Sequence, residues 1–356
     1  MKIIITAGGQ GTKIWPFSRK ESPKQFQKII GDKSLFINNV EMLLNKFKPE
    51  DIFISTKKSY VSIVQKQAPQ IPFDNLIIEP NIAKGRGPAE GLAFLTLSIK
   101  HPEEPFMLVQ ADCLYLPSKK YFETVAIMDQ VVQKDRKFIS GGLKPEFPVL
   151  GVDYLELGNR VDLQSDIEFF SVKSFLDRNQ SYKGTEKMIS ERNAVIYTNI
   201  SCWYPDLMLD AYKKYRPDWY EKLMEIKKVV DDFGKVEKIY SQMEAGVTED
   251  VTRHVLEDGY VVMYPFKWVD IGTWDSIYKY LAKDNEVHVE GNVIALRSSG
   301  SLIKSTSKNK LIAVLGLENM VVIDTDDILF IAPRDKAAEI KDVQNELMEK
   351  GMERFL

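Results

Sequence analysis

An α/β domain built on a mostly parallel sheet, followed by a smaller β-rich domain that ends in a helix, is the fold this sequence predicts. Three observations predict it. From Met1 to Pro145, short apolar runs alternate with segments of helical length and pattern. After Asn285 the chain turns to strand-like runs separated by turns, and its last stretch, Asp335–Lys350, carries apolar residues at helical spacing. Alternation of strand and helix implies a parallel sheet covered on both faces. With 356 residues, the chain exceeds the roughly 250 to 300 residues at which one hydrophobic core stops growing. Two domains are therefore expected, at 1–284 and 285–356.

Taken in order, Ile3–Thr6, Ile52–Ser55, Leu76–Ile78 and Phe106–Val109 read as strands. Between Pro205 and Ala245 the chain becomes charged and Lys-rich. The apolar positions of Tyr220–Val230 recur at helical spacing, as in an amphipathic helix with a solvated face. Gly291–Leu296, Leu311–Leu315, Met320–Ile323 and Ile328–Ile331 read as strands of the second domain, with turns at Ser298–Gly300 and Asp324–Asp327. In the final helix Ile340, Val343 and Leu347 form one stripe, and Asp335 suits the positive end of the helix dipole.

Composition narrows the function. A hydrophobic fraction of 44%, a charged fraction of 28% and a net charge of -3 describe an ordinary globular protein, without the global basic field that nucleic acid binding needs. Cys113 and Cys202 lie far apart and outside any C-x-x-C, so the cysteines build neither a zinc site nor a disulfide scaffold. The N-terminal apolar run is too short for a signal peptide, and no later run approaches a membrane span. A cytoplasmic protein with no membrane or nucleic acid partner is expected.

The first strand runs into Ala7-Gly8-Gly9-Gln10-Gly11-Thr12-Lys13, then Ser22-Pro23-Lys24-Gln25-Phe26. Glycines remove the side chains that would hold a polyphosphate away from main-chain N–H groups, and successive N–H groups form an anion-binding concavity. Lys13 and Lys24 supply positive charge. Neither G-x-G-x-x-G nor G-x-x-x-x-G-K-[ST] is present, which disfavours a nicotinamide dehydrogenase and a Walker ATPase. A tight turn is the other reading of the glycines alone; the two lysines favour phosphate. Ligands of such sheets sit at the carboxyl ends of strands, where Asp112 also falls. A nucleoside triphosphate there calls for Mg²⁺ held by one or two carboxylates, and Asp112 and Asp270 each follow a strand. A turn former or a helix cap is the alternative for each aspartate.

The string from Ala7 to Phe26 resembles the signature of the sugar-1-phosphate nucleotidyltransferases, most of all the mannose-1-phosphate guanylyltransferases, to whose branch Trp15–Arg19 and Pro23–Phe26 point. The resemblance implies a Rossmann-like nucleotidyltransferase domain and, from Gly316–Leu347, a short β-helix-like C-terminal domain. It implies a homodimer, and Asp112 and Asp270 as the ligands of Mg²⁺. It implies transfer of a nucleotidyl group: the phosphate of a sugar 1-phosphate attacks the α-phosphorus of GTP and pyrophosphate leaves. A phosphomonoester has its second pKa near ~6, so no general base is needed, and none of His101, His254 and His288 stands in a catalytic setting.

By the same resemblance Lys24 meets the transferring phosphate. Lys13, with the N–H groups of Ala7, Gly8, Gly9, Gly11 and Thr12, meets the nucleotide and the leaving pyrophosphate. Lys13 stands where the family has arginine, keeping the charge without the planar fork. Glu79–Ala89 resembles the base-recognition segment, with Lys84 and Arg86 as nucleotide-binding candidates and Lys-Gly-Arg-Gly-Pro-Ala in place of Arg-Asn-Thr-Ala-Pro-Ala. Arg86 has a second reading as a solvated helix start. Gly151 in Leu150–Tyr154, Asp177 and Arg178 in Phe175–Asn179, and Asn199 in Tyr197–Ser201 stand where the family binds the sugar phosphate. Two other functions remain open: the same chemistry on a different sugar or nucleotide, and a regulatory subunit that binds sugar nucleotide without turnover.

Overall fold

The computed structural model describes residues 1–9, 11–163, 165–178, 181–283 and 285–356. Gln10 of the glycine loop, Asn179 of the sugar-phosphate segment and Asp284, the last residue of the first expected domain, lie outside the described residues. The chain forms two compact units. One comprises Met1–Gly8, Met42–Gln110 and Tyr115–Trp268; the other comprises Gly9–Glu41, Ala111–Leu114 and Val269–Leu356. The second unit thus takes in the strand-rich C-terminal residues together with the excursion that follows Gly8.

The strands before the C-terminal part are β1 (Lys2–Thr6), β2 (Ile52–Lys57), β3 (Leu76–Glu79), β4 (Phe106–Gln110), β5 (Cys113–Leu116), β6 (Ile139–Leu143), β7 (Tyr154–Val161), β8 (Phe169–Leu176), β9 (Ala194–Trp203), β10 (Tyr260–Met263) and β11 (Lys267–Asp270). The helices are α1 (Leu35–Leu44), α2 (Val61–Gln67), α3 (Arg86–Lys100), α4 (Ser118–Asp135), α5 (Tyr182–Arg192), α6 (Pro205–Tyr215), α7 (Pro217–Lys227), α8 (Phe233–Ser241), α9 (Glu249–Val255), α10 (Trp274–Leu281) and α11 (Ile340–Glu349).

In the first unit nine strands form one sheet in the order β3-β2-β1-β4-β9-β6-β10-β8-β7. The expected strands β1, β2, β3 and β4 pair in parallel. Beyond β4 the sheet is mixed, because β9 runs antiparallel to β4 and β6, and β8 antiparallel to β7 and β10. The link between β7 and β8 is too short for the crossover of a dozen or more residues that parallel neighbours need. Phe94, Phe106, Tyr212, Trp219, Leu223 and Tyr240 are enclosed in the core beside this sheet. The amphipathic helix expected over Tyr220–Val230 is α7; it ends at Lys227, and Val230 is exposed.

In the second unit the chain coils through β12 (His288–Glu290), β13 (Val293–Leu296), β14 (Leu302–Ser305), β15 (Ile312–Leu315), β16 (Met320–Asp324) and β17 (Leu329–Pro333). β12, β14 and β16 stack in parallel, and β13 stacks on β15. Alternation between two parallel ladders makes the short β-helix. β12 and β14 have no counterpart among the expected strands. The coil packs Leu302, Val321, Ile323 and Phe330 against Trp274, Ile14, Trp15, Ile29 and Leu35. α11 follows as expected but starts later, at Ile340; Ile340 and Leu347 join this core, whereas Val343 is exposed.

Candidate active site

Within the second unit the glycine excursion is built around a lysine. Gly11 has φ +62, and a Cβ on it would lie 2.7 Å from Lys24 Cβ, so the stem of Lys24 occupies the space a side chain would need. Gly9 faces open space, and its carbonyl accepts from Gln25 Nε2 at 2.9 Å. Pro23, extended, feeds a turn of 3-10 helix at Lys24–Phe26 in which Lys24 and Phe26 are buried. Lys24 Nζ then sits 2.6 Å from Asp112 Oδ2 and 3.9 Å from Asp270 Oδ1, and 3.4 Å from the Ile271 carbonyl. Three sequence-predicted residues from distant positions are thus brought together.

The surrounding backbone fixes both aspartates. Ile271 N–H donates to the Asp112 carbonyl at 3.3 Å. Asn39, buried on α1, donates through Nδ2 to the carbonyls of Ala111 and Cys113 at 3.3 and 3.0 Å, on either side of Asp112. After Asp270, Thr273 and Ser276 form a reciprocal capping box at the start of α10, which stops the helix short of the carboxylate. Trp274 Nε1 donates to the Trp15 carbonyl at 2.9 Å, tying this helix to the glycine excursion.

Burial works against the Lys24 charge, but Asp112 and Asp270 outweigh it and raise its pKa. Burial also opposes ionisation of Asp112; the Lys24 charge prevails and holds that carboxyl below its usual range. Asp270 is pushed up by burial, against the pull of Lys24 and with the Asp112 charge beside it. Burial pushes the Cys113 thiol well up, so it is no nucleophile. Lys13 and Thr12 are exposed, and the Thr12 carbonyl accepts from Gln344 Nε2 of α11 at 3.0 Å. Among the described residues no group of three or more His, Cys, Asp or Glu side chains is placed to hold a metal. Two half-open carboxylates suit a cation that keeps water and phosphate oxygens in its shell, as Mg²⁺ does, rather than one caged by protein.

Within the first unit the remaining predicted residues fall into separate groups. Ala7 continues β1, its N–H donating to the Ser55 carbonyl at 2.7 Å. Glu79 ends β3, and its Oε2 would lie 3.0 Å from a Cβ on Gly8. Tyr240 donates to Glu79 Oε1 at 2.8 Å, and burial raises the Glu79 pKa. Glu79 belongs to the segment that resembles base recognition, yet the sequence assigns it no role; a lone buried carboxylate next to the glycine loop shows its position only once folded.

The departures in that segment have packing reasons. Gly85 has φ +80 and lies against the Gly246 backbone, while a Cβ on Gly87 would run into the Trp219 ring. Lys84 accepts through its carbonyl from Gly246 N–H at 2.9 Å. Arg86 is the first residue of α3, part-exposed and paired: its Nε is 2.9 Å from Glu90 Oε1 and its Nη1 3.6 Å from Glu249 Oε1. Arg178 likewise has a carboxylate partner, Asp153, which it meets through Nη2 at 2.7 Å. Asp177 pairs with Arg253. Gly151 has φ +76 and faces open space. Asn199 donates to Glu249 Oε1 at 2.6 Å.

Residues 2–145 match the nucleotidyl transferase family, and residues 291–347 match the MannoseP isomerase/GMP-like beta-helix domain. A mannose-1-phosphate guanylyltransferase of Escherichia coli is 28% identical over 354 residues, which cover 97% of this chain and 75% of that protein. The alginate biosynthesis protein AlgA of Pseudomonas aeruginosa is 25% identical over 98% of this chain and 72% of its own length. The crystal structure of a Thermus thermophilus protein described as a mannose-1-phosphate geranyltransferase matches with a TM-score of 0.86, at 22% identity, over 98% of this chain and 99% of that one. This last likeness shows a shared fold.

Proposed function

We propose that this chain, a homologue of the mannose-1-phosphate guanylyltransferases, transfers a guanylyl group from GTP to mannose 1-phosphate, giving GDP-mannose and pyrophosphate. The observation that supports it most is the meeting of Lys24 with Asp112 and Asp270, at 2.6 and 3.9 Å. The ionised sugar phosphate is its own nucleophile, so the protein's task is alignment and charge stabilisation. Lys24, held charged by the two aspartates, faces the transferring phosphate. Lys13 and the N–H groups of the glycine loop take the leaving pyrophosphate. Asp112 and Asp270 would hold Mg²⁺, which supplies charge neutralisation at the transferring and leaving phosphates.

Guanine preference is supported by Glu79. Tyr240 fixes one carboxylate oxygen, and the other, beside Gly8, suits an N–H donor on the Watson–Crick edge of guanine. Among the described residues no helix is long and apolar enough to cross a membrane, and the same reading takes the protein as a cytoplasmic homodimer. A second reading, the same chemistry on another sugar phosphate, is favoured by Arg178, whose guanidinium is paired with Asp153.

The test is pyrophosphate release across GTP, ATP, UTP and dTTP, each with mannose and glucose 1-phosphates and Mg²⁺. GTP with mannose 1-phosphate is expected to be fastest, and Asp112→Asn or Asp270→Asn to lower the rate at least about 100-fold. Nucleotide binding without release for every pair would establish the regulatory subunit instead.

A further inference from the structure

Glu249 opens α9 and is 7% exposed. Its Oε1 accepts from Asn199 Nδ2 at 2.6 Å and lies 3.6 Å from Arg86 Nη1. Its Oε2 is enclosed and, among the described residues, has no hydrogen-bond partner. Buried carboxylate oxygens are among the polar atoms a fold least readily leaves without a donor. The neighbouring carboxylate makes the contrast plain: Glu90 Oε1 accepts from Arg86 Nε at 2.9 Å, and its Oε2 accepts from Thr248 Oγ1 at 2.6 Å.

The surroundings hold the Glu249 carboxylate by its other oxygen, Oε1. Asn199 has φ +63 although it is not glycine and lies inside β9. It sits where the β6–β9 register shifts between Ser140 and Gly142. Such bulges re-aim side chains, and strained backbone of this kind persists where the surroundings hold it for a purpose. Here it aims the Asn199 amide at Glu249. Arg86, its side chain 41% exposed, bridges Glu90 and Glu249, so the guanidinium reaches from solvent to the two buried carboxylates.

An ionised carboxylate only accepts hydrogen bonds. Phosphate oxygens, which also only accept, are therefore excluded as its partner, and a hydroxyl group is suited to it. We propose that Glu249 Oε2 receives a ring hydroxyl of the hexose once Arg86 swings aside, and that Asn199 is a positioning residue which acts through Glu249. This rests on the sugar-phosphate reading above and names the sugar subsite of that reaction.

The experiment compares wild type, Glu249→Gln and Asn199→Ala, using mannose 1-phosphate and its 2-, 3-, 4- and 6-deoxy analogues with GTP. Glu249→Gln is expected to raise KM for mannose 1-phosphate at least 10-fold with KM for GTP unchanged, and Asn199→Ala to shift the same constant by less. With the one analogue that lacks the recognised hydroxyl, wild type and Glu249→Gln should agree within 2-fold. An equal loss with every analogue, or a matching rise in KM for GTP, would overturn the proposal in favour of a structural role. So would equal turnover of all the analogues by wild type, a result that needs no variant. If wild type turns over no pair, the functional reading fails. Calorimetric titration of the same five sugar phosphates into wild type then decides Glu249 separately: equal affinities reject it, and a single analogue weakened at least 10-fold sustains it.

Discussion

Gly11 lies against the stem of Lys24 so closely that, at φ +62, a Cβ would come within 2.7 Å of Lys24 Cβ. The glycine is therefore needed by the lysine it packs on, and through that lysine by Asp112, 2.6 Å from its ammonium. A Cβ on Gly9 would meet nothing within 4 Å among the described residues, which leaves that space to a ligand. The two glycines should fail differently. Gly11→Ala is expected to lower kcat at least about 100-fold, because small displacements of a charge-stabilising group cost that much. Gly9→Ala should keep the melting temperature of wild type and raise KM for GTP. Steady-state kinetics with thermal unfolding of both variants checks this pair of outcomes.

Asn39, itself buried on α1, donates to carbonyls on both sides of Asp112. Asn39→Leu keeps the volume and leaves those carbonyls without their donor, so a stability loss of about 1 to 3 kcal/mol is expected. Turnover should fall as well, since the Asp112 carboxylate loses its backbone anchor. Urea unfolding followed by pyrophosphate release on the folded variant measures the two effects separately.

Glu79 offers guanine a carboxylate that Tyr240 holds in place. Wild type should prefer GTP to ITP, which lacks the 2-amino donor. Glu79→Gln should bring the ratio of kcat/KM for these nucleotides toward one, a loss of about 10-fold in discrimination. A ratio unchanged in the variant would remove Glu79 from base recognition.

Glu156 is buried in β7 and is held by Lys173, with Ser174 and Arg192 adding further hydrogen bonds, so that its pKa falls to about 2. A carboxyl depressed in the folded state stabilises the protein fully above its unfolded pKa, near ~4.5. That stabilisation is lost as pH falls from about 4.5 through about 2. Because Lys173 and Arg192 are themselves exposed, the discounted size is about 1 kcal/mol. Denaturant midpoints measured between pH 6 and pH 2.5 should fall, and Glu156→Gln should flatten that part of the decline.

Much of the fold was legible because its strands announce themselves. β1, β2 and β4 are buried on both faces and read as continuous apolar runs, and the edge strand β3, buried at alternate residues, is a short apolar run too. β14 escaped notice because its Leu-Ile-Lys-Ser run contains a charge. Lys304 is buried there only because the Ile29 carbonyl and Glu290 receive its ammonium. Residues of the candidate site were legible as chemical types: aspartates at strand ends, lysines after glycines, guanidinium groups in the sugar and base segments.

Sequence by itself determined the parallel half of the sheet, the glycine excursion with its lysines and four of the C-terminal strands, β13, β15, β16 and β17, because hydrophobic periodicity and backbone permissiveness are local properties. Only the tertiary structure decided which charges meet. Lys24 turned to Asp112 and Asp270, Arg86 to Glu90 and Glu249, and Arg178 to Asp153. Pairing is set by distances that folding creates between residues far apart in the chain, and Coulomb energy and desolvation depend on those distances, on which the order of residues is silent.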